Sequence, residues 1–143
     1  MRILGIDLGR RRVGLALSDP SGILATPLET LDGRDRDALV AQLRSRVREL
    51  WVEEVVLGLP RRTDGTLGPE ALATQKFAER LEQTLGLPIH LEDERLTTVQ
   101  AHRSMREAGG RGAELRKAVD RVAAVLILQT FLDRRQPPPE DPW

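Results

Sequence analysis

Residues 2–18 read RILGIDLGRRRVGLALS, and this stretch decides the fold. Ile3 to Ile6 is a short apolar run that ends at Asp7-Leu8-Gly9. Three arginines follow, and Val13-Gly14-Leu15-Ala16-Leu17-Ser18 then resumes strand character. Two such runs on either side of a short polar turn make a hairpin. Asp19-Pro20-Ser21-Gly22 is a turn by composition, and Ile23 to Leu31 alternates as a third strand, with Pro27 suited to an edge or a bend. The chain therefore opens with an antiparallel three-strand meander.

From Arg36 the period changes. Leu39, Val40, Leu43, Val47, Leu50 and Trp51 recur at three- and four-residue steps, which predicts an amphipathic helix. It delivers a buried strand, Val55-Val56-Leu57-Gly58-Leu59, which Pro60 stops. A loop of turn residues leads to Pro69 in the first turn of a second helix, whose apolar face is Ala71, Leu72, Phe77, Ala78, Leu81 and Leu85. Gly86 ends it, and Pro88-Ile89-His90-Leu91 begins a fifth strand that finishes in Glu92-Asp93-Glu94. Thr97 with Gln100 is a capping box for a helix to about Ala108. The last helix starts near Ala113 and carries Leu115, Val119, Val122, Ala123, Leu126, Ile127 and Phe131. Three meander strands followed by βαβ crossovers predict an α/β fold: one mixed five-stranded sheet with helices on both faces. One domain is expected over residues 1–135, with 136–143, rich in proline, as a disordered tail.

Composition narrows the chemistry. The 143 residues include 22 Lys+Arg, 22 Asp+Glu and no Cys. Disulfides, thiolate metal sites and a cysteine nucleophile are excluded, so a bound metal needs carboxylate or His ligands, and oxygen ligands favour Mg²⁺ or Mn²⁺. No stretch approaches the roughly 18 apolar residues of a membrane span. Asp7 also comes too early for the apolar region of a signal peptide. A cytoplasmic protein without a membrane partner is the expectation. Of the 22 cations 20 are Arg, whose planar fork suits phosphate. Arg10-Arg11-Arg12 is one basic cluster, and Arg95 to Arg121 carries seven Lys/Arg against three Asp/Glu.

Three positions stand out as acids in unusual company. Asp7 ends an otherwise apolar strand, where an ionised carboxylate must be paired or hold a cation; a structural turn acid is the plain alternative. Asp93 and Glu94 come at the carboxyl end of the fifth strand, beyond which ligand crevices of open α/β sheets lie. Alternation alone does not choose between these two, and a solvated strand end accounts for them equally. Asp120 sits at the edge of the last helix's buried stripe among small residues; its plain alternative is an ion pair with Arg116, Lys117 or Arg121. Acids from strand one, strand five and the last helix that converge at one sheet edge would suit two-metal phosphoryl transfer, in which carboxylates fix two ions about 3.5–4 Å apart. His90 and His102 have no second His at ligand spacing and are read as packed or surface residues.

At these residues the sequence resembles a known family. Gly5-Ile6-Asp7-Leu8-Gly9 with Val13-Gly14-Leu15-Ala16, Gly58-Leu59-Pro60 with Asp64-Gly65-Thr66, Asp93-Glu94-Arg95-Leu96-Thr97-Thr98, and Lys117 to Leu128 with Asp120 and Ala123-Ala124 are similar to the YqgF/RuvX family. The likeness runs from Arg2 to about Asp133, with four motifs in order. It implies a ribonuclease H-like fold of the RuvC type and a nuclease. The family's members are described as pre-16S rRNA processing nucleases and, earlier, as Holliday junction resolvases. Its acidic triad maps onto Asp7, Glu94 and Asp120, which by analogy favours Glu94 over Asp93. Where relatives often carry a Lys between Gly9 and Val13 this chain has three Arg, and Arg61-Arg62 stand where relatives have smaller or amide residues.

The expectation is a nuclease dependent on Mg²⁺ or Mn²⁺ that processes the 5′ end of pre-16S rRNA, with Asp7, Glu94 and Asp120 as catalytic and metal-holding residues. Arg10, Arg11, Arg12, Arg95, Arg103 and Arg106 are expected to contact phosphates of structured RNA or branched DNA, on a pre-ribosomal particle in the first case. The alternatives are a junction resolvase with the same site, which needs a homodimer rather than a monomer, and a non-catalytic RNA-binding scaffold. With four aromatic residues, an aromatic base-stacking platform is not expected. An actin-like ATPase, suggested by Gly5 to Gly9, would need a second domain.

Overall fold

The computed structural model of the chain describes residues 2–62, 64–94 and 112–136. Within them β1 (Arg2–Leu8), β2 (Arg12–Ser18) and β3 (Ala25–Asp32) form the expected meander. Then come α1 (Arg36–Glu49), β4 (Val52–Leu59), α2 (Pro69–Leu85), β5 (Ile89–Asp93) and α3 (Ala113–Arg135). The sheet order is β3-β2-β1-β4-β5. The first three strands pair antiparallel, and β4 is parallel to both β1 and β5. In the edge strand β3 the register shifts where Leu15 pairs Glu29 but Ala16 pairs Pro27, which absorbs the proline's missing N–H at a bulge.

Period-2 alternation divides the strands between two cores. Leu4, Ile6, Val13, Leu15, Val55 and Leu57 face α1 and α2, meeting Leu39, Leu43, Phe77 and Leu81. Ile3, Ala16 and Val56 face α3, meeting Ala123, Ala124, Ile127, Leu128 and Phe131. Asp35 caps α1 by accepting from the N–H groups of Asp37 and Ala38. Pro69 opens α2, and Gly86 closes it in the left-handed conformation at φ 66°, as the sequence predicts. No helix among the described residues is long and apolar enough to cross a membrane.

Four residues assigned to buried stripes are exposed instead: Trp51, Leu72, Leu115 and Val122. Trp51 lies beyond the end of α1 in a turn at φ 56°, so it leaves the helical face altogether. Leu115 and Val122 are seven residues apart on the side of α3 away from the sheet. The predicted helix from Thr97, with Arg95, Arg103 and Arg106, lies outside the described residues, as does the tail from 137 on.

Candidate active site

The site grows out of one row of the sheet. In the ladder Gly14 pairs with Asp7 on one side and Thr30 on the other, while Gly58 pairs with Glu92. Gly58 also comes one residue beyond the Ile6–Leu57 pair, beside Asp7. The row Thr30, Gly14, Asp7, Gly58, Glu92 thus crosses all five strands. Period-2 alternation puts Asp7 on the same face as Gly5, toward α3. Glycines on both sides of Asp7 leave a notch there, and other groups fill it. A Cβ on Gly14 would stand 2.1 Å from the Asp120 carbonyl oxygen, and one on Gly58 would stand 2.3 Å from Glu94 Oε1. The helix therefore rests its backbone on β2 at Asp120, and the Glu94 carboxylate lies over β4.

Asp7, Glu94 and Asp120 are all buried, at 1%, 0% and 0% exposure. Three acids far apart in sequence are thus buried on or beside this row of the sheet. Arg12 binds Asp120 with Nε 2.9 Å from Oδ2, and its guanidinium stays within reach of solvent. Thr30 Oγ1 donates to the Lys117 carbonyl at 2.9 Å, which pins the start of α3 to β3. Asp93 is held differently from its neighbour. Its carboxylate is 3.9 Å from Arg61 and partly exposed, which leaves Glu94 as the inward acid.

Sequence reasoning missed a fourth acid. Glu92 is fully buried, accepts a hydrogen bond from Arg134, and keeps Oε1 without a partner among the described residues. Burial raises its pKa above the ordinary value, Arg134 opposes this, and Asp93 adds to it. The signal was present in the sequence: a strand residue two before Glu94 shares its face. Nearby, Glu54 accepts from both Arg135 nitrogens and contacts His90 Nε2, whose ring packs on Phe131. His90 is a packing and hydrogen-bonding residue, outside the notch. Arg10 and Arg11 are exposed on the β1–β2 turn.

The donor set consists of carboxylate oxygens, which suit Mg²⁺ or Mn²⁺. Among the described residues no three His, Asp or Glu side chains stand in ion-ligating geometry. Mg²⁺ commonly keeps several waters and takes one or two carboxylates plus substrate phosphates. A buried notch with acids on three elements is compatible with that mode.

The sheet order and the helices on its two faces define a ribonuclease H-like fold of the RuvC type. In the comparison of folds, T. thermophilus RuvC in complex with a Holliday junction substrate superposes with a TM-score of 0.57 at 15% identity, over 94% of this chain and 95% of that one. The fowlpox virus Holliday junction resolvase gives 0.55 at 11% identity, over 94% and 99%. These likenesses establish the fold. The particular family follows from sequence: residues 1–134 match the family described as "RuvX: Holliday junction resolvase", and the chain belongs to it. A relative from Moorella thermoacetica, named "Putative pre-16S rRNA nuclease", is 48% identical over 94% of this chain and 96% of its own length. One of the same name from Clostridium kluyveri is 44% identical over 94% and 98%.

Proposed function

We propose that the chain is a divalent-metal-dependent nuclease that processes the 5′ end of pre-16S rRNA. The observation that carries this reading is the burial of Asp7, Glu94 and Asp120 around the notch between Gly14 and Gly58. Packing alone gives no reason to bury three acids, each of which costs several kcal/mol unless compensated. The names of the relatives support RNA as the substrate.

In this reading Asp7 and Asp120 hold metal ions, and Glu94 ligates one of them or orients the attacking water. Bound ions supply an activated water and stabilise the leaving oxygen. The chain's own residues do the rest. Arg12 pairs with Asp120, and its guanidinium, within reach of solvent, is placed to meet a substrate phosphate. Arg10 and Arg11, with Arg95, Arg103 and Arg106, hold the flanking backbone. Water gives up a proton to solvent as its oxygen adds to phosphorus, the P–O bond to the leaving oxygen breaks, and the departing oxygen takes a proton from solvent.

The test is cleavage of end-labelled RNA carrying a 16S 5′ leader, alongside a four-way DNA junction, in Mg²⁺, Mn²⁺ or EDTA. Metal-dependent cutting of the RNA that vanishes in Asp7→Asn is expected, with folding and binding retained. Wild-type rates in that variant would sink the assignment. Preferential cutting of the junction, by a dimer, would transfer it to the resolvase alternative, which the RuvC likeness keeps in view. Binding without cutting would leave the RNA-binding scaffold.

A further inference from the structure

Arg10 and Arg11 extend into solvent, and neither side chain makes a hydrogen bond or ion pair with another described residue. They stand at a cleft of about 480 Å³ on the α1/α2 face of the sheet, the face opposite the acidic notch. Its other walls include Arg36, Pro60, Pro69 and Ala73. Arg36 is a fixed cation. It donates to the carbonyls of Gly9 and Gly33 and lies 5.6 Å over the Phe77 ring. Arg12 lines the cleft too while bonding Asp120 on the far side, so the cleft and the notch meet at one residue. Gly9, also in the wall, is two residues along from Asp7, about 7 Å at the rise of a strand.

We propose that this cleft is a subsite for one unpaired nucleotide of the substrate, adjacent to the bond held at the acids; the proposal rests on the nuclease reading above. Size is the first argument. The volume equals a cube of about 8 Å on edge, too narrow for a duplex whose major groove alone is about 12 Å wide. It falls within the roughly 300–1,000 Å³ of small-ligand sites, enough for one nucleotide. Chemistry is the second. Arginines hold the phosphate, and the apolar surfaces of Leu8, Pro60 and Ala73 are of no use to a bare anion but suit a sugar and base. Glu70 also lines the cleft, and a carboxylate repels inorganic phosphate while accepting from a base amino group. An unpaired nucleotide there restricts the substrate to nucleic acid that is single-stranded beside the cut.

The experiment is fluorescence anisotropy of the full chain, in EDTA, with a labelled single-stranded RNA of about ten nucleotides and with the same sequence as a blunt duplex. Ala73→Met fills the cleft without altering charge and adds no ring on which a base could stack. It is expected to weaken single-strand binding about tenfold and leave duplex binding unchanged. Ala73→Leu carries the same steric arm where the longer side chain prevents folding, as judged by thermal melting. Arg10→Ala with Arg11→Ala is expected to reduce the salt slope for the single strand by about 1.4, at about 0.7 per lost phosphate contact. Wild-type single-strand affinity in a folded Ala73 variant, or equal weakening for strand and duplex, would overturn the subsite. Because nothing is cut in EDTA, the result is independent of Asp7→Asn. Failure of the subsite is therefore distinguishable from failure of the nuclease reading.

Discussion

Gly14→Ala tests whether the seat of α3 on β2 is what places Asp120. The new methyl carbon would stand 2.1 Å from the Asp120 carbonyl oxygen, 2.5 Å from its carbon and 3.1 Å from the Arg121 nitrogen. All three are backbone atoms, so no rotamer relieves the clash. The helix must instead lift by about 1 Å out of a close-packed interface. Overpacking of this kind costs about 1–3 kcal/mol, against which removal of a strand glycine returns about 0.5–1 kcal/mol. A net loss of about 1–2 kcal/mol is expected. For 143 residues the unfolding entropy is about 0.3 kcal/mol per degree, so the melting temperature falls by about 3–7 °C. Thermal and urea denaturation at neutral pH measure this directly. Gly86→Ala is the control, because a Cβ there meets nothing within 4 Å and only the left-handed φ of 66° is strained. It lowers stability through its own turn and leaves cleavage intact, whereas Gly14→Ala lowers both. A Gly14→Ala variant that melts within about 1 °C of wild type and cuts normally would refute the seating argument.

Gly58→Ala reverses that balance. Its Cβ meets Glu94 Oε1 at 2.3 Å and Ile127 Cδ1 at 2.6 Å, both ends of flexible side chains, so stability changes by less than about 1.5 kcal/mol. The displaced Glu94 lowers the cleavage rate about a hundredfold; wild-type turnover of the same RNA would count against a role for Glu94. A third prediction concerns pH. Hydrogen bonds from Arg135 first, and His90 after it, hold the Glu54 carboxyl below its ordinary value of 4.5. A depressed folded pKa stabilises fully above the ordinary value and is lost as pH falls through the folded one. The stability difference between wild type and Arg135→Ala, read from urea midpoints, is therefore largest at neutral pH and shrinks below 4.5. A difference that stays constant into acid would show that the ion pair is not its source.

Much of this is legible in sequence because the periods are clean. Two apolar runs around three arginines announce the meander, and Pro27 announces its need for an edge. Asp7 is conspicuous as a charge in an apolar strand. Glu94 is less so, because Asp93 beside it has the same chemistry. What separates them is that one lies over a glycine of the neighbouring strand and the other beside Arg61, and register of that kind is a tertiary fact. Trp51 misleads because helical spacing continues past the point where the backbone turns. Leu115 and Val122 mislead because they keep the apolar spacing on the side of α3 that faces away from the sheet. The cleft is invisible for a similar reason: Arg10, Arg36 and Ala73 come together only when the β1–β2 turn meets α1 and α2.

The diagonal course of α3 also explains how so many buried charges are tolerated on one face. Its start brings Asp120 to Gly14 and Arg12; its middle lays Leu128 on Gly5 and Ile127 on Gly58; its end carries Arg134 to Glu92 and Arg135 to Glu54. From Asp120 to Arg134 is about 21 Å of helix. One rigid element thus delivers an acid at one end and, at the other, two cations that offset acids the strands have buried. Breaking either pair by removing one partner leaves a buried charge uncompensated, which is costly. The arginines at the end of α3 therefore do not contact the notch, yet they fix the angle at which the helix crosses it. That angle sets where Asp120 comes to rest on Gly14. The acids of the candidate site are positioned by packing against glycines near at hand and by ion pairs at the far end of the same helix.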